Sequence, residues 1–196
     1  MFWRVISIPI NLRINVDLDN HDEAWQVLRM LKERSLIADV VPYLGHVTSY
    51  SESYREDRCL STKEYSKSDL QFMKDVGRPL IDIYPKPRGN YCIANQVNGW
   101  VIDSLGDMYK CYVDIGKEER KVFSLTKEGD LTSVFNDYML FDDTKNPKCT
   151  DCKFFPICLG GCPHKRLHNT RDCSYFKHNL SEYLTECAAV LMEESN

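Results

Sequence analysis

The sequence predicts a chain of mixed α/β and α+β character: a strand–helix–strand unit, then a cysteine-rich region dominated by loops, then a closing helix. Three observations carry this prediction. Residues 11–44 pass from a period of two to a helical period and back to an extended pattern. Residues 100–111 alternate around a central glycine. Seven of the nine cysteines fall between Cys92 and Cys173.

Between Asn11 and Asp17, Leu12, Ile14 and Val16 point one way and Arg13, Asn15 and Asp17 the other, which is a strand signal. Asn20 offers an N-cap with Asp22 and Glu23 in the first turn, and Ala24, Val27, Leu28 and Leu31 recur at helical spacing, so a helix is expected over 22–35. Ile37 to Leu44 is β-branched and apolar and predicts a second strand. Strand, helix and strand within some thirty residues form a βαβ unit, whose strands are normally parallel. Standing alone, such a pair would keep open edges on both sides. Gly45 to Lys67 is polar and reads as a long loop, leading to a short helix from a Ser68 cap to Val76. Pro79, Pro85 and Pro87 mark a linker, dividing the chain into residues 1–84 and 85–196.

Beyond Cys92, Trp100–Asp103 and Met108–Cys111 flank Ser104-Leu-Gly-Asp, a β-hairpin turning at Gly106. Residues 142–175 are rich in Cys, Gly and Pro and predict irregular loops. Phe176, Leu180, Tyr183, Leu184, Cys187 and Leu191 share one helical face, so the chain closes with an amphipathic helix.

The composition excludes several classes. The 196 residues carry a net charge of −4, with 43% hydrophobic and 28% charged, which is neither a disordered polyelectrolyte, a collagen nor a coiled-coil rod. No apolar run approaches the roughly 18 residues of a membrane span, and the N-terminus lacks a signal-peptide pattern. The slightly acidic balance gives no electrostatic reason to expect nucleic acid or a membrane surface as partner. An odd number of cysteines without a secretion signal points to a cytoplasmic chain with reduced thiols.

Those thiols are spaced as ligands. Cys149-x2-Cys152-x5-Cys158-x3-Cys162 is followed by Cys173, with Cys92 and Cys111 bracketing the hairpin upstream. Gly160 and Gly161 permit tight folding around a bulky group, and Pro156 and Pro163 stiffen the same loop. Two four-thiolate sites need eight cysteines, and this set has seven. Zinc remains open on spacing alone, bound by thiolate pairs with or without His164 and His168, which otherwise read as surface or supporting groups.

The pattern resembles the SPASM domain, the auxiliary-cluster module at the C-terminal end of radical S-adenosylmethionine enzymes that modify peptides and proteins. Cys92-x13-Gly106-x4-Cys111, the run Cys149 to Cys162 and the final Cys173 match that motif in order over about 80 residues. The first 45 residues, with the Arg13-Ile-Asn-Val-Asp17 strand, resemble the last part of the family's partial (βα)6 barrel. The resemblance implies residues 1–84 as a barrel portion and 85–196 as the auxiliary-cluster domain, carrying two [4Fe–4S] clusters. Cys149, Cys152, Cys158 and Cys173 would hold the distal cluster. Cys92, Cys111 and Cys162 would hold the one nearer the active site, its fourth iron either open or bound by Cys59.

Cys187 falls on the apolar face of the last helix and reads as a core thiol. Lys165, Arg166 and Arg171 would either raise a cluster potential through hydrogen bonds or form a solvated basic face. Arg13 and Asn15 would line a cofactor cavity in a complete barrel and otherwise form a strand's polar face. The family's C-x3-C-x2-C motif is absent: the only C-x3-C is Cys158 to Cys162, with Lys165 where a third cysteine is needed. The expectation is therefore the C-terminal portion of a maturase, not active alone, binding S-adenosylmethionine only if completed by the N-terminal barrel half. No catalytic residue is singled out. Its clusters would transfer electrons or ligate the substrate, and its partners would be a peptide or protein substrate and, in a split system, a separate radical S-adenosylmethionine barrel chain. The alternative is a non-catalytic module: a peptide-binding domain stabilised by zinc or a cluster, or a partner of a separate radical S-adenosylmethionine chain.

Overall fold

The computed structural model describes residues 10–50, 54–77, 80, 86–87, 89, 92–170 and 173–193. Among these described residues the fold is mixed α/β with two small sheets. It divides into two compact units, Met1–Tyr84 with His178–Asn196 and Pro85–Lys177.

In the first unit, β1 (Ile10–Val16) and β2 (Val40–His46) pair in parallel, from Ile10 opposite Val40 to Val16 opposite His46, and α1 (Glu23–Glu33) connects them. Ala24, Leu28 and Leu31 form the buried stripe of α1. Asn20 does not cap this helix. Its Oδ1 accepts from the Asp17 N–H at 2.8 Å, while Asp17 Oδ1 accepts from the N–H groups of Asp19 and Asn20, so the turn consumes both side chains and Asp22 becomes the N-cap. The second strand starts at Val40 and not at Ile37. Ser35 at φ 56° ends the helix, and the Asp39 N–H returns to the Leu36 carbonyl in a further turn.

The expected helix from Ser68 is longer than its apolar pattern suggests. α2 spans Thr62–Val76 and starts at a capping box: Ser61 Oγ accepts from the Glu64 N–H, and the Glu64 carboxylate accepts from the Ser61 N–H. Six side chains from Tyr65 to Met73 are buried along it, and Gly77 at φ 81° closes it in the left-handed conformation. Of the expected linker, Pro79 and Pro85 lie outside the described residues, and Pro87 is exposed.

The second unit contains the hairpin. β3 (Val101–Ile102) and β4 (Asp107–Tyr109) are antiparallel, with Gly106 at φ 80° in the turn and Asp103 Oδ1 accepting from the N–H groups of Leu105 and Asp107. A third strand, β5 (Phe123–Ser124), pairs with β4, and α3 (Ser133–Met139) follows. Neither element is anticipated from the sequence: two residues are too few for a periodicity to show, and the seven of α3 make only about two turns. Ala94, Cys111, Val122, Val134 and Tyr138 form the core here. The cysteine-rich stretch contains three short helices: α4 (Pro147–Thr150), α5 (Phe155–Cys158) and α6 (Pro163–Leu167).

The closing helix α7 (Phe176–Glu193) buries Phe176, Asn179, Tyr183 and Cys187. Its apolar face is narrower than expected, because Leu184 and Leu191 are 40% and 48% exposed. Within the first unit, the Asn179 amide donates to the Ser66 carbonyl at 2.8 Å, the Tyr183 hydroxyl donates to the Leu80 carbonyl, and Lys74 pairs with Glu186. Most of the helix therefore completes the first unit. Among the described residues no helix is long and apolar enough to cross a membrane.

Candidate functional site

The cysteines of the second unit form two groups. Cys149, Cys152, Cys158 and Cys173 line one cavity of about 170 Å³, together with Phe141, Asp143, Gly160 and Arg166. Local chemistry puts each thiol there. Asn146 caps α4 by accepting from the Lys148 N–H, and Pro147 opens the helix, which presents Cys149. The Cys152 N–H closes a turn on the Cys149 carbonyl, and the Cys152 carbonyl in turn accepts from Phe155 at the start of α5, which ends at Cys158. Three successive left-handed residues follow, Leu159 at φ 46°, Gly160 at 79° and Gly161 at 85°. Two of them are glycines because an L side chain at such angles costs about 1–2 kcal/mol. This reversal carries the chain from Cys158, on the cavity, to Cys162 at the entry of α6.

Cys162 joins the other group. Burial pushes the Cys111 thiol up to about 11, partly offset by the Val113 N–H, and the proximity of Asp114, Cys162 and Cys92 adds to the rise. Cys111 is buried in the core, and Cys92 packs against the same cluster beside Trp100 and Phe135. Lys110, fully buried next to Cys111, fixes the turn that follows Cys92. Its ammonium donates to the carbonyls of Gln96 and Gly99, 2.6 Å each, and sits 4.5 Å from the Trp100 ring.

A polar network flanks this group. Asp114, wholly buried, accepts from the Tyr138 hydroxyl at 2.8 Å and lies 3.3 Å from His164 Nδ1 and 3.5 Å from Arg120 Nε. Burial lowers the His164 pKa, against the opposing pull of Asp114, and burial together with the Asp114 bond raises that of Tyr138. His164 is therefore an internal polar group, while His168 is exposed with its ring 4.5 Å from that of His164.

Of the basic residues, Arg166 is buried and lines the four-thiol cavity, Lys165 is partly buried, and Arg171 lies outside the described residues. Cys187 is a core thiol, 5% exposed on α7. Cys59 is in the first unit, its thiol facing the Arg55 carbonyl at 3.8 Å. Arg13 Nε donates to Asn15 Oδ1 at 2.9 Å on the exposed side of β1. Their side chains pass over Gly45, where a Cβ would meet Arg13 Nε at 2.3 Å. Asp143, Lys110, Asp114 and Tyr138 are not identifiable as site residues in sequence; the Asn146-Pro147 cap was a legible local signal for the placement of Cys149.

The donor set suits an iron–sulfur cluster. Thiolates are the ligands of such clusters, and a polynuclear core needs space among its four sulfurs. A single zinc would draw them to about 2.3 Å from one point. Among the described residues no three His, Cys, Asp or Glu side chains converge closely enough to hold one metal ion.

Over 109 residues the chain is 35% identical to a cysteine-type anaerobic sulfatase-maturating enzyme of Clostridium novyi (strain NT). The chain resembles a maturating enzyme. The match covers 47% of this chain and 28% of that relative, so the chain spans little more than a quarter of it. The fold is similar to a solved structure described as native anSMEcpe with bound AdoMet, at a TM-score of 0.59 and 15% identity, covering 91% of this chain and 56% of the other. No protein-family model matches the chain.

Proposed function

We propose that this chain is the auxiliary-cluster portion of a radical S-adenosylmethionine system that modifies a peptide or protein substrate, and that it holds two [4Fe–4S] clusters. The observation that carries the reading is the cavity lined by Cys149, Cys152, Cys158 and Cys173. These four would hold the distal cluster. Cys92, Cys111 and Cys162 would hold the nearer one, its fourth iron open or bound by Cys59, with the open site the favoured reading. On this reading residues 1–84 are a barrel portion, supported by the parallel β1–α1–β2 unit, and the cluster domain is the part of 85–196 that packs as Pro85–Lys177, the rest of α7 belonging with the first unit. The maturating relative supports a peptide or protein as substrate.

When bound, the clusters would supply electron transfer to or from the substrate, or a ligation point for it. The chain's own residues provide the setting. Cys111 and Cys158 are buried, which excludes water from one side of each site. Lys110 holds the turn after Cys92 in place, and Arg166 brings positive charge to the four-thiol cavity. The sequence has no C-x3-C-x2-C motif, so a cluster binding S-adenosylmethionine would be held by residues outside it.

The test is anaerobic reconstitution followed by metal and acid-labile sulfide analysis. The expected result is about eight iron and eight sulfide per chain with broad visible absorbance, falling by half in Cys152→Ala. Stoichiometric zinc without visible absorbance overturns the reading in favour of a zinc-stabilised module.

A further inference from the structure

Arg166 is the buried cation on the wall of the four-thiol cavity; Lys148 and Lys177, which also line it, are exposed. Its guanidinium is held from two sides. It pairs with the Asp143 carboxylate, and it lies 4.9 Å from the centroid of the Phe141 ring. Both side chains of the pair are shielded, at 7% and 15% exposure. The main chain makes room for the arrangement. A Cβ on Gly160 would lie 2.3 Å from Asp143 Oδ1, so only glycine lets that carboxylate approach. Asp142, Asn146 and Thr150 tie down the loop that carries Asp143. Asp142 Oδ1 accepts from the Thr144 N–H, and Thr150 Oγ1 donates to the Thr144 carbonyl.

The electrostatics of this wall follow from its geometry. Four thiolates around an iron–sulfur core leave net negative charge in the cavity. Asp143 adds a further negative charge at the same wall, which by itself would disfavour reduction. Arg166 cancels it. The pair itself carries no net charge; removing either member changes the charge of the wall by one unit of known sign in a shielded place.

We propose that Arg166 and Asp143 are positioning residues that act as a charge-compensating pair for the group bound by Cys149, Cys152, Cys158 and Cys173, and so set its reduction potential. This rests on the cluster reading above. It differs from a general basic surface because it assigns opposite effects to the two members of one ion pair.

The experiment uses the reconstituted full chain and its variants Arg166→Gln, Arg166→Lys, Asp143→Asn and the double variant. Iron and sulfide content is measured first, and midpoint potentials follow by anaerobic redox titration monitored by electron paramagnetic resonance. The signal of this cavity is the one lost in Cys152→Ala. Absence of iron from the unaltered chain is a failure of the cluster reading. With clusters present, the pair is tested separately.

Arg166→Gln should make reduction at least about tenfold less favourable, a negative shift of about 59 mV for one electron. Asp143→Asn should shift the potential in the positive direction, Arg166→Lys should stay near the unaltered chain, and the double variant should return towards it. Equal potentials in all variants, or shifts of the same sign in Arg166→Gln and Asp143→Asn, overturn the proposal. Should Arg166→Gln lose the cluster, Asp143→Asn decides alone: a positive shift supports the pair, and no shift or a negative one overturns it.

Discussion

Replacing Lys110 with Met tests whether the buried ammonium holds the Cys92 turn. Met keeps most of the stem's volume but removes two charge-assisted hydrogen bonds, to the carbonyls of Gln96 and Gly99, and the contact with Trp100. Two effects oppose each other. An ammonium buried at 0% exposure carries a desolvation cost, visible in its lowered pKa, and the variant escapes it. Against that, the Gly99 carbonyl belongs to a buried residue and stays unsatisfied, whereas Gln96 is exposed and its carbonyl can rehydrate. One stranded carbonyl costs about 1–3 kcal/mol, and the lost ring contact adds about 1 kcal/mol. The stranded carbonyl and the lost ring contact outweigh the relieved desolvation, leaving a net loss of about 2 kcal/mol and a fall in melting temperature of roughly 8–16 °C for a unit of this size. The assay is thermal unfolding of the metal-free chain, paired with the alkylation rate of Cys92 read by mass spectrometry. Faster Cys92 labelling with the Cys187 rate unchanged is expected. A Met variant that melts at or above the unaltered chain, with Cys92 labelled no faster, would refute the reasoning.

Two other outcomes follow from the same kind of bookkeeping. Burial raises the Asp69 pKa from 3.8 to about 7, and the geometry agrees. The single Tyr65 hydroxyl proton faces both the Leu44 carbonyl at 3.0 Å and Asp69 at 3.3 Å, a shortage that a protonated Asp69 relieves. Because the folded value lies above the unfolded one, Asp69 supports the fold below about pH 4, and that support is lost as the pH rises towards 7, by roughly 4 kcal/mol. Asp69→Asn should remove this slope, so that urea midpoints at pH 4 and pH 7 lie closer together than in the unaltered chain; an unchanged difference counts against it. Gly99→Ala would place a Cβ 2.2 Å from the Ile93 carbonyl oxygen, which is backbone and cannot swing aside. A loss of at least about 1–3 kcal/mol in chemical denaturation is expected, with faster Cys92 labelling.

Features fixed by neighbours in sequence were legible. The alternation of Leu12, Ile14 and Val16 gave β1, and Gly106 with Asp103 gave the hairpin turn, because period and turn chemistry are local properties. The start of α2 was not legible: the polar stretch from Gly45 to Lys67 read as loop and placed the cap at Ser68, seven residues after Ser61, where the capping box with Glu64 forms. β5 and α3 were not, since a two-residue strand and a seven-residue helix exist through their packing on β4 and the Cys111 core. The narrowness of the α7 stripe depends on which side chains meet α2, and no period reveals that.

What the sequence determined by itself was the ligand inventory. The count and spacing of Cys92, Cys111, the run Cys149 to Cys162 and Cys173 are a one-dimensional fact, and turn geometry converts C-x2-C into two thiols on one side. The tertiary structure decided what surrounds them. Lys110 reaches carbonyls 11 and 14 residues away, Asp114 meets Tyr138 and His164 across 24 and 50 positions, and Asp143 meets Arg166 across 23. Such pairings arise only when the chain folds back on itself, because charge and burial depend on distance in space, and no spacing rule encodes that distance.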